Sequence, residues 1–305
     1  MSQIFYDTKN DLDQYARDFE ELRTFEENAV ADWQRVAGQE FWQPSEYERF
    51  YLPNLRLAGI REKQRIVLQN AADVHMHTHW SDGDQLERVL EFALKAELDA
   101  IAITDHDEIG GALEARRIVH ERRLPIAIIP GVEVSSRDGH IGALFVTRII
   151  PKNLSAAETV RLIHEAGGIA VAHHPYTPEF LNKLLNVRLN CGDLIKTVPF
   201  DAVECSNAAP GTGQKYNIAA IDEMRRNHIN IAVTGGSDAH IAEFVGKART
   251  YYAGNEGILS LRNALKHGLT KGAEGYWQTS EKLLYYSMVS KAILRSILGR
   301  FGGEN

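Results

Sequence analysis

Cysteine is scarce in this 305-residue chain: only Cys191 and Cys205 occur, and they form no CxxC. That excludes a disulfide framework and fits a reducing compartment. Surplus basic charge is missing too, with 34 Lys and Arg against 41 Asp and Glu, a net charge of -7. Non-specific nucleic-acid binding needs a basic surface, so long nucleic acid is not an expected partner. A small phosphorylated substrate held by metals remains compatible with the charge. No stretch approaches the roughly 18 apolar residues of a membrane span. The opening "MSQIFYDTKNDLDQ" turns acidic without an apolar signal core, so the expected location is cytoplasmic. Low-complexity segments are absent. With 44% hydrophobic and 25% charged residues, the chain reads as an ordinary globular protein, long enough to bury its own core.

Three textures follow one another. Residues 1–69 carry apolar positions at helical spacing and read as a helical N-terminal extension, packed on the main domain or used as a dimer contact. From residue 70 to 254, apolar runs such as "LDAIAITDHD", "LPIAIIPGVEVSS" and "INIAVTGGSDAH" alternate with helical segments such as "QLERVLEFALKAE" and "AAETVRLIHEAG". That alternation predicts a parallel sheet with crossover helices, closed or nearly closed into an α/β barrel. Residues 255–305 read as a C-terminal helical segment ending in the basic amphipathic "EKLLYYSMVSKAILRSILGRF". Packing on the barrel is its expected fate, with a membrane surface or a partner helix as the alternatives.

The polar residues sit where strands end, which is where α/β barrels build their sites. His75 and His77 are two apart, so a strand aims both imidazoles to one side. Asp82, His106, Glu133, His140, His174, Asp238 and His240 supply further imidazole and carboxylate groups from separate strand ends. Burying such groups together without a compensating cation is costly. Imidazole and carboxylate without thiolate suits Zn, Mn or Fe.

Neighbouring residues read more blandly. His173 alternates with His174, so one of the two is expected to face the site. His79 is expected to point outward, and His120, His164, His228 and His267 to lie on the surface. Asp105 is expected to orient His106 or cap the next helix, and Asp107 to be that helix's N-cap. Cys205 reads as a small buried residue. Asn207 is a candidate substrate contact, and Lys247 or Arg249 a candidate phosphate ligand. The long stretch 176–200 reads as a lid.

The ordered blocks HxHTxxSDG from His75 to Gly83, TDHD (104–107), PGVEVS (130–135), GH (139–140), AHHP (172–175) and GSDAH (236–240) resemble the PHP family, named for polymerase and histidinol phosphatase. The resemblance implies a distorted (β/α)7 barrel with a trinuclear metal site. His75, His77, Glu133 and Asp238 would hold one ion. Glu133, His140 and His174 would hold a second, with Glu133 bridging, and the AHP match selects His174 over His173. Asp82, His106 and His240 would hold a third, and Asp82 departs from the His that many relatives carry. The implied reaction is hydrolysis of a small phosphorylated substrate, a nucleotide or a phosphorylated alcohol, by metal-activated hydroxide. His240 or Asp238 would protonate the leaving alcohol. A metal-dependent amidohydrolase or deaminase, a nuclease on short oligonucleotides and a non-catalytic module are the alternatives. Two to three divalent ions (Zn, Mn or Fe) are the expected cofactors, and homo-oligomerisation is left open.

Overall fold

The computed structural model describes residue 68, residues 70–209, 213–254 and 257–274, and residues 283, 286 and 287. The expected N-terminal helices and most of the basic C-terminal helix lie outside the described residues. The elements in order are β1 Asn70–Asp73, α1 Leu86–Lys95, β2 Ala100–Ile103, α2 Gly110–Arg122, β3 Ala127–Ser136 and β4 Gly139–Leu144. They continue with α3 Ala156–Glu165, β5 Ile169–Ala172, α4 Glu179–Leu185, β6 Ala202–Asn207, α5 Gly213–Arg226, β7 Ala232–Gly236, β8 Ala248–Tyr252, α6 Ile258–Lys266 and β9 Lys271–Glu274.

These strands form one nine-stranded sheet in the order β7-β6-β5-β4-β3-β2-β1-β8-β9. The sheet curls until β7 meets β8, where the Thr250 hydroxyl accepts from Gly235 N and donates to Gly235 O, both at 2.9 Å. Thr270, just ahead of β9, adds a 2.7 Å bond from its hydroxyl to Val233 O. The fold is therefore mixed α/β with a nearly closed barrel.

Pairing directions decide where the site falls. β1, β2 and β3 pair in parallel, as do β5, β6 and β7. β4 runs antiparallel to both β3 and β5, so those six strands share one direction. Their C-terminal ends, and the start of β4, share one rim. The purely parallel alternation expected from the apolar texture is interrupted there. "SSRDGH" makes a tight β3–β4 connection too short for a crossover helix.

Side chains divide between two cores by strand alternation. In β2, Ala100 and Ala102 pack inside the barrel with Val74, Ile129, Val171 and Tyr252. Ile101 and Ile103 point the other way, onto Leu86, Val89 and Leu90 of α1 and Ala112 and Ala115 of α2. Each such buried branched side chain contributes about 1.5–3 kcal/mol. Leu261, Ala264 and Leu265 of α6 join the interior core. Arg262 Nη2 donates to Gly167 O, just before β5 starts, so α6 lies at the end opposite the polar rim. Among the described residues, no helix is long and apolar enough to cross a membrane.

Candidate metal centre

The strand running into "HMH" ends at Asp73, and the chain beyond it is held by loops instead of sheet partners. Asp73, fully buried, accepts from Ser237 N at 2.9 Å, Gly246 N at 2.8 Å and His75 N at 3.3 Å. Asp238 N donates to His75 O and His77 N to Ala239 O, which lays "SDAH" beside "HMH". Gly236 has to be glycine there: a Cβ would fall 2.4 Å from His75 Cβ and 2.6 Å from Glu204 Oε1. Asp238 and His174 adopt left-handed backbone, with φ of 53° and 28°. Strain of this kind, worth about 1–3 kcal/mol per residue, concentrates at functional sites.

The structure brings all nine residues nominated as ligands into one cluster. Four overlapping groups have donor atoms within 4.8 Å of one another: His77, Asp82, His106 and His240; His75, His77 and Asp238; His75, Glu133 and His174; and His106, Glu133 and His140. Glu133 is the hub. Its Oε1 lies 3.2 Å from His75 Nε2, 3.2 Å from His174 Nε2 and 3.3 Å from His140 Nδ1. Its Oε2 lies 3.4 Å from His77 Nε2 and 3.1 Å from His106 Nδ1. Asp238 Oδ1 completes the inner group, 3.5 Å from His75 Nε2 and 3.4 Å from His77 Nε2. Asp82 Oδ1 forms the outer edge, 3.4 Å from His240 Nε2 and 3.9 Å from His106 Nε2. His140 enters from the start of the reversed strand β4, so its GH block opens a strand where the other blocks close one.

The donor atoms fit metal ions better than they fit one another. His75 Nε2, both ring nitrogens of His77, both of His140, His106 Nδ1, His174 Nδ1 and Glu133 Oε2 are buried without a hydrogen-bond partner. Buried polar atoms are almost always paired, so this many orphans at one point mark a place for cations. The groups act strongly on one another's charge. Burial raises the Glu133 and Asp238 carboxyls, but the surrounding imidazoles outweigh it and hold both well below the usual carboxylate range. Burial, with His240 and His106 nearby, drops His77 to about 3 and keeps it neutral, the form that ligates. For His240 burial is outweighed by Asp82, which lifts it to about 9.

Other residues land differently from expectation. His173 is fully buried, and its Nδ1 meets Glu133 Oε1 at 2.9 Å, so both residues of the HH pair face the site. Asp105 neither orients His106 nor caps a helix. Its Oδ1 accepts from Thr78 N and Ser81 Oγ, its Oδ2 from Thr78 Oγ1, and it thereby shapes the loop carrying Asp82. Asp107 is not the N-cap of α2: it accepts from Ser135 N, while Glu108 takes the Ile109 and Gly110 N–H groups. Asn207 is buried, and its Nδ2 reaches Glu204 Oε2 at 2.8 Å and Asp238 Oδ2 at 3.2 Å. Arg249 turns its Nε to Gly246 O, and Lys247 is half-buried on the same turn. His79 is exposed. The 176–200 segment is pinned beside the cluster: Leu189 O accepts from His140 N, and Pro175 O from Gly192 N.

Two residues carry the site without having been nominated. Glu204, fully enclosed in β6, accepts from His174 N at 2.8 Å and meets His75 Nδ1 at 2.9 Å, which turns Nε2 into the cluster. Asp73 is the other. A carboxylate inside an apolar strand, as in "FDAVECSNA", was the available signal for Glu204.

Comparison with known proteins agrees with this geometry. A family model described as PHP-associated matches residues 225–270. An uncharacterised protein of Methanocaldococcus jannaschii is 36% identical over 160 residues, 48% of this chain and 88% of that protein. A phosphoribosyl 1,2-cyclic phosphate 1,2-diphosphodiesterase of Eggerthella lenta is 39% identical over 67 residues, 22% of this chain and 25% of that enzyme. Among solved structures, a two-domain Bacteroides vulgatus protein containing a predicted PHP-like metal-dependent phosphoesterase superposes with a TM-score of 0.53. That match has 17% identity and covers 75% of this chain and 74% of the other. The fold and the rim of imidazole and carboxylate groups define a barrel built for metal-dependent chemistry. The chain belongs to the PHP family.

Proposed function

We propose that this protein is a metal-dependent phosphoesterase that hydrolyses a small phosphorylated molecule. The observation that carries the reading is the convergence of nine imidazole and carboxylate side chains, among which seven ring nitrogens are buried without a hydrogen-bond partner. In this reading His75, His77, Glu133 and Asp238 hold one divalent ion. Glu133, His140 and His174 hold a second, and Asp82, His106 and His240 a third. The bound ions supply Lewis acidity toward a phosphoryl group and a nucleophile at neutral pH.

The chain's own residues do the positioning. Glu204 fixes the tautomer and rotation of His75, and Asn207 holds Asp238, two roles that typically tune metal affinity. Side-chain exposure rises outward, from 0% at His75 to 26% at His106 and 58% at Asp82, so substrate enters over the Asp82 edge. His240 directs Nε2 at Asp82 while its Nδ1 contacts Asp238 O at 3.0 Å. With Nδ1 held by Asp238 O, Nε2 would be the ligand atom beside Asp82, and the leaving alcohol would take its proton from solvent.

Phosphate release from phosphomonoesters, nucleotides, a cyclic phosphodiester and short oligonucleotides tests the reading. Manganese, zinc or iron would be added in turn. Release by the wild type is expected to stop with chelator and in His106→Ala. Hydrolysis of amides or amines instead, by metal-loaded protein inert on all phosphoesters, would replace it.

A further inference from the structure

The doubled histidine of AHHP leaves one imidazole without a task. His173 belongs to none of the close donor groups, yet it is fully buried against their hub. Its ring stacks on His75, with centroids 3.7 Å apart and planes 19° from parallel. Its Nδ1 lies 2.9 Å from Glu133 Oε1. Its Nε2 points the other way, over the backbone of β4, where the chain has Gly142. A Cβ at Gly142 would stand 2.1 Å from His173 Nε2. The missing side chain on β4 thus makes room for the ring, and the ring's far nitrogen cannot reach the cluster.

We infer that His173 is a positioning residue for Glu133, donating from Nδ1 to Oε1 and locking the carboxylate in the rotamer that presents both oxygens to metal ions. This inference rests on the metal-centre reading above. Oε1 is crowded by His75, His140 and His174, and the rotamer of Glu133 decides which ions it can share. A neutral imidazole with its proton on Nδ1 suits the task, because Nε2, buried without a partner, then needs no acceptor. Stacking on His75 extends the same control to a second metal-facing ring. Hydrogen bonds that orient a ligand without touching the metal are worth roughly 10–100-fold in metal affinity.

The test compares His173→Phe, His173→Asn and Gly142→Ala with wild type, using Mn²⁺ titration calorimetry and the melting temperature of the metal-free proteins. Phe keeps the stack and deletes the donor, Asn restores a donor near the position of Nδ1, and Ala at 142 displaces the ring. The expected result is an unchanged number of Mn²⁺ ions for all, with affinity lowered about 10–100-fold in His173→Phe and Gly142→Ala. His173→Asn should recover part of that loss. Wild-type affinity in a folded His173→Phe overturns the inference. So does loss of one ion from the stoichiometry in both His173→Phe and His173→Asn, because His173 would then be a ligand. If His173→Phe fails to fold, affinity of His173→Asn below that of Gly142→Ala, or an unchanged Gly142→Ala, likewise overturns it. No Mn²⁺ binding by wild type would instead defeat the metal-centre reading itself, which keeps the two failures apart.

Discussion

Glu133→Gln is expected to abolish phosphoester hydrolysis, with a loss well beyond about 100-fold, while the protein still folds. The magnitude follows from position. Deleting a group that merely orients a metal ligand costs roughly 10–100-fold, and Glu133 is the carboxylate against which five nominated imidazoles converge. Glutamine keeps the shape but removes the charge, and it offers an N–H₂ group to nitrogens waiting for a cation. Fewer bound ions per chain should accompany the lost activity. The strands around position 133 are secured by backbone pairs between Val132 and Ala143 and between Val134 and Ile141, so far-UV circular dichroism should be unaltered. Activity within tenfold of wild type in Glu133→Gln would remove Glu133 from the centre of the mechanism.

The largest stability effect is expected from Asp73→Ala, a position outside every metal group. Asp73 bonds three backbone N–H groups drawn from the chain after β1, the end of β7 and the turn into β8. Removing the carboxylate strands those donors in a dry interior, at about 1–3 kcal/mol for each one left unpaired. A total of about 3 kcal/mol or more is expected, which for a domain of this size is a fall of roughly 6–12 °C in melting temperature. Metal binding should weaken in parallel, because the same bonds hold "SDAH" beside "HMH". Thermal or urea unfolding checks this. A change under about 0.5 kcal/mol, the range of ordinary surface substitutions, would show that the barrel closes without Asp73.

The sequence was most legible where a local rule applied. His75 and His77 share a face because strand geometry puts residues two apart on one side, and apolar runs of four to six residues marked most strands. Long-range pairing was less legible. "HIGALFVTRII" has the same apolar texture as its neighbours, yet its strand runs the opposite way, because direction is set by a short turn and not by composition. Partners of buried carboxylates were also hidden. Asp105 sits beside His106 in sequence but bonds Thr78 and Ser81, and the Glu204 bond to His75 spans 129 positions. Strand alternation turns one of two adjacent residues away, which argues against His173 facing the site. β5 ends at Ala172, however, and the left-handed backbone at His174 lets both rings face Glu133.

The central claim is that these side chains converge on metal ions. Anomalous diffraction from crystals grown with Mn²⁺, with data on both sides of the manganese edge, tests it most directly. Two or three peaks are expected within bonding distance of Glu133 and its surrounding imidazoles, one of them shared by Asp82, His106 and His240. A map with no peak at the cluster, with the imidazoles and carboxylates bonded only to one another, would contradict it.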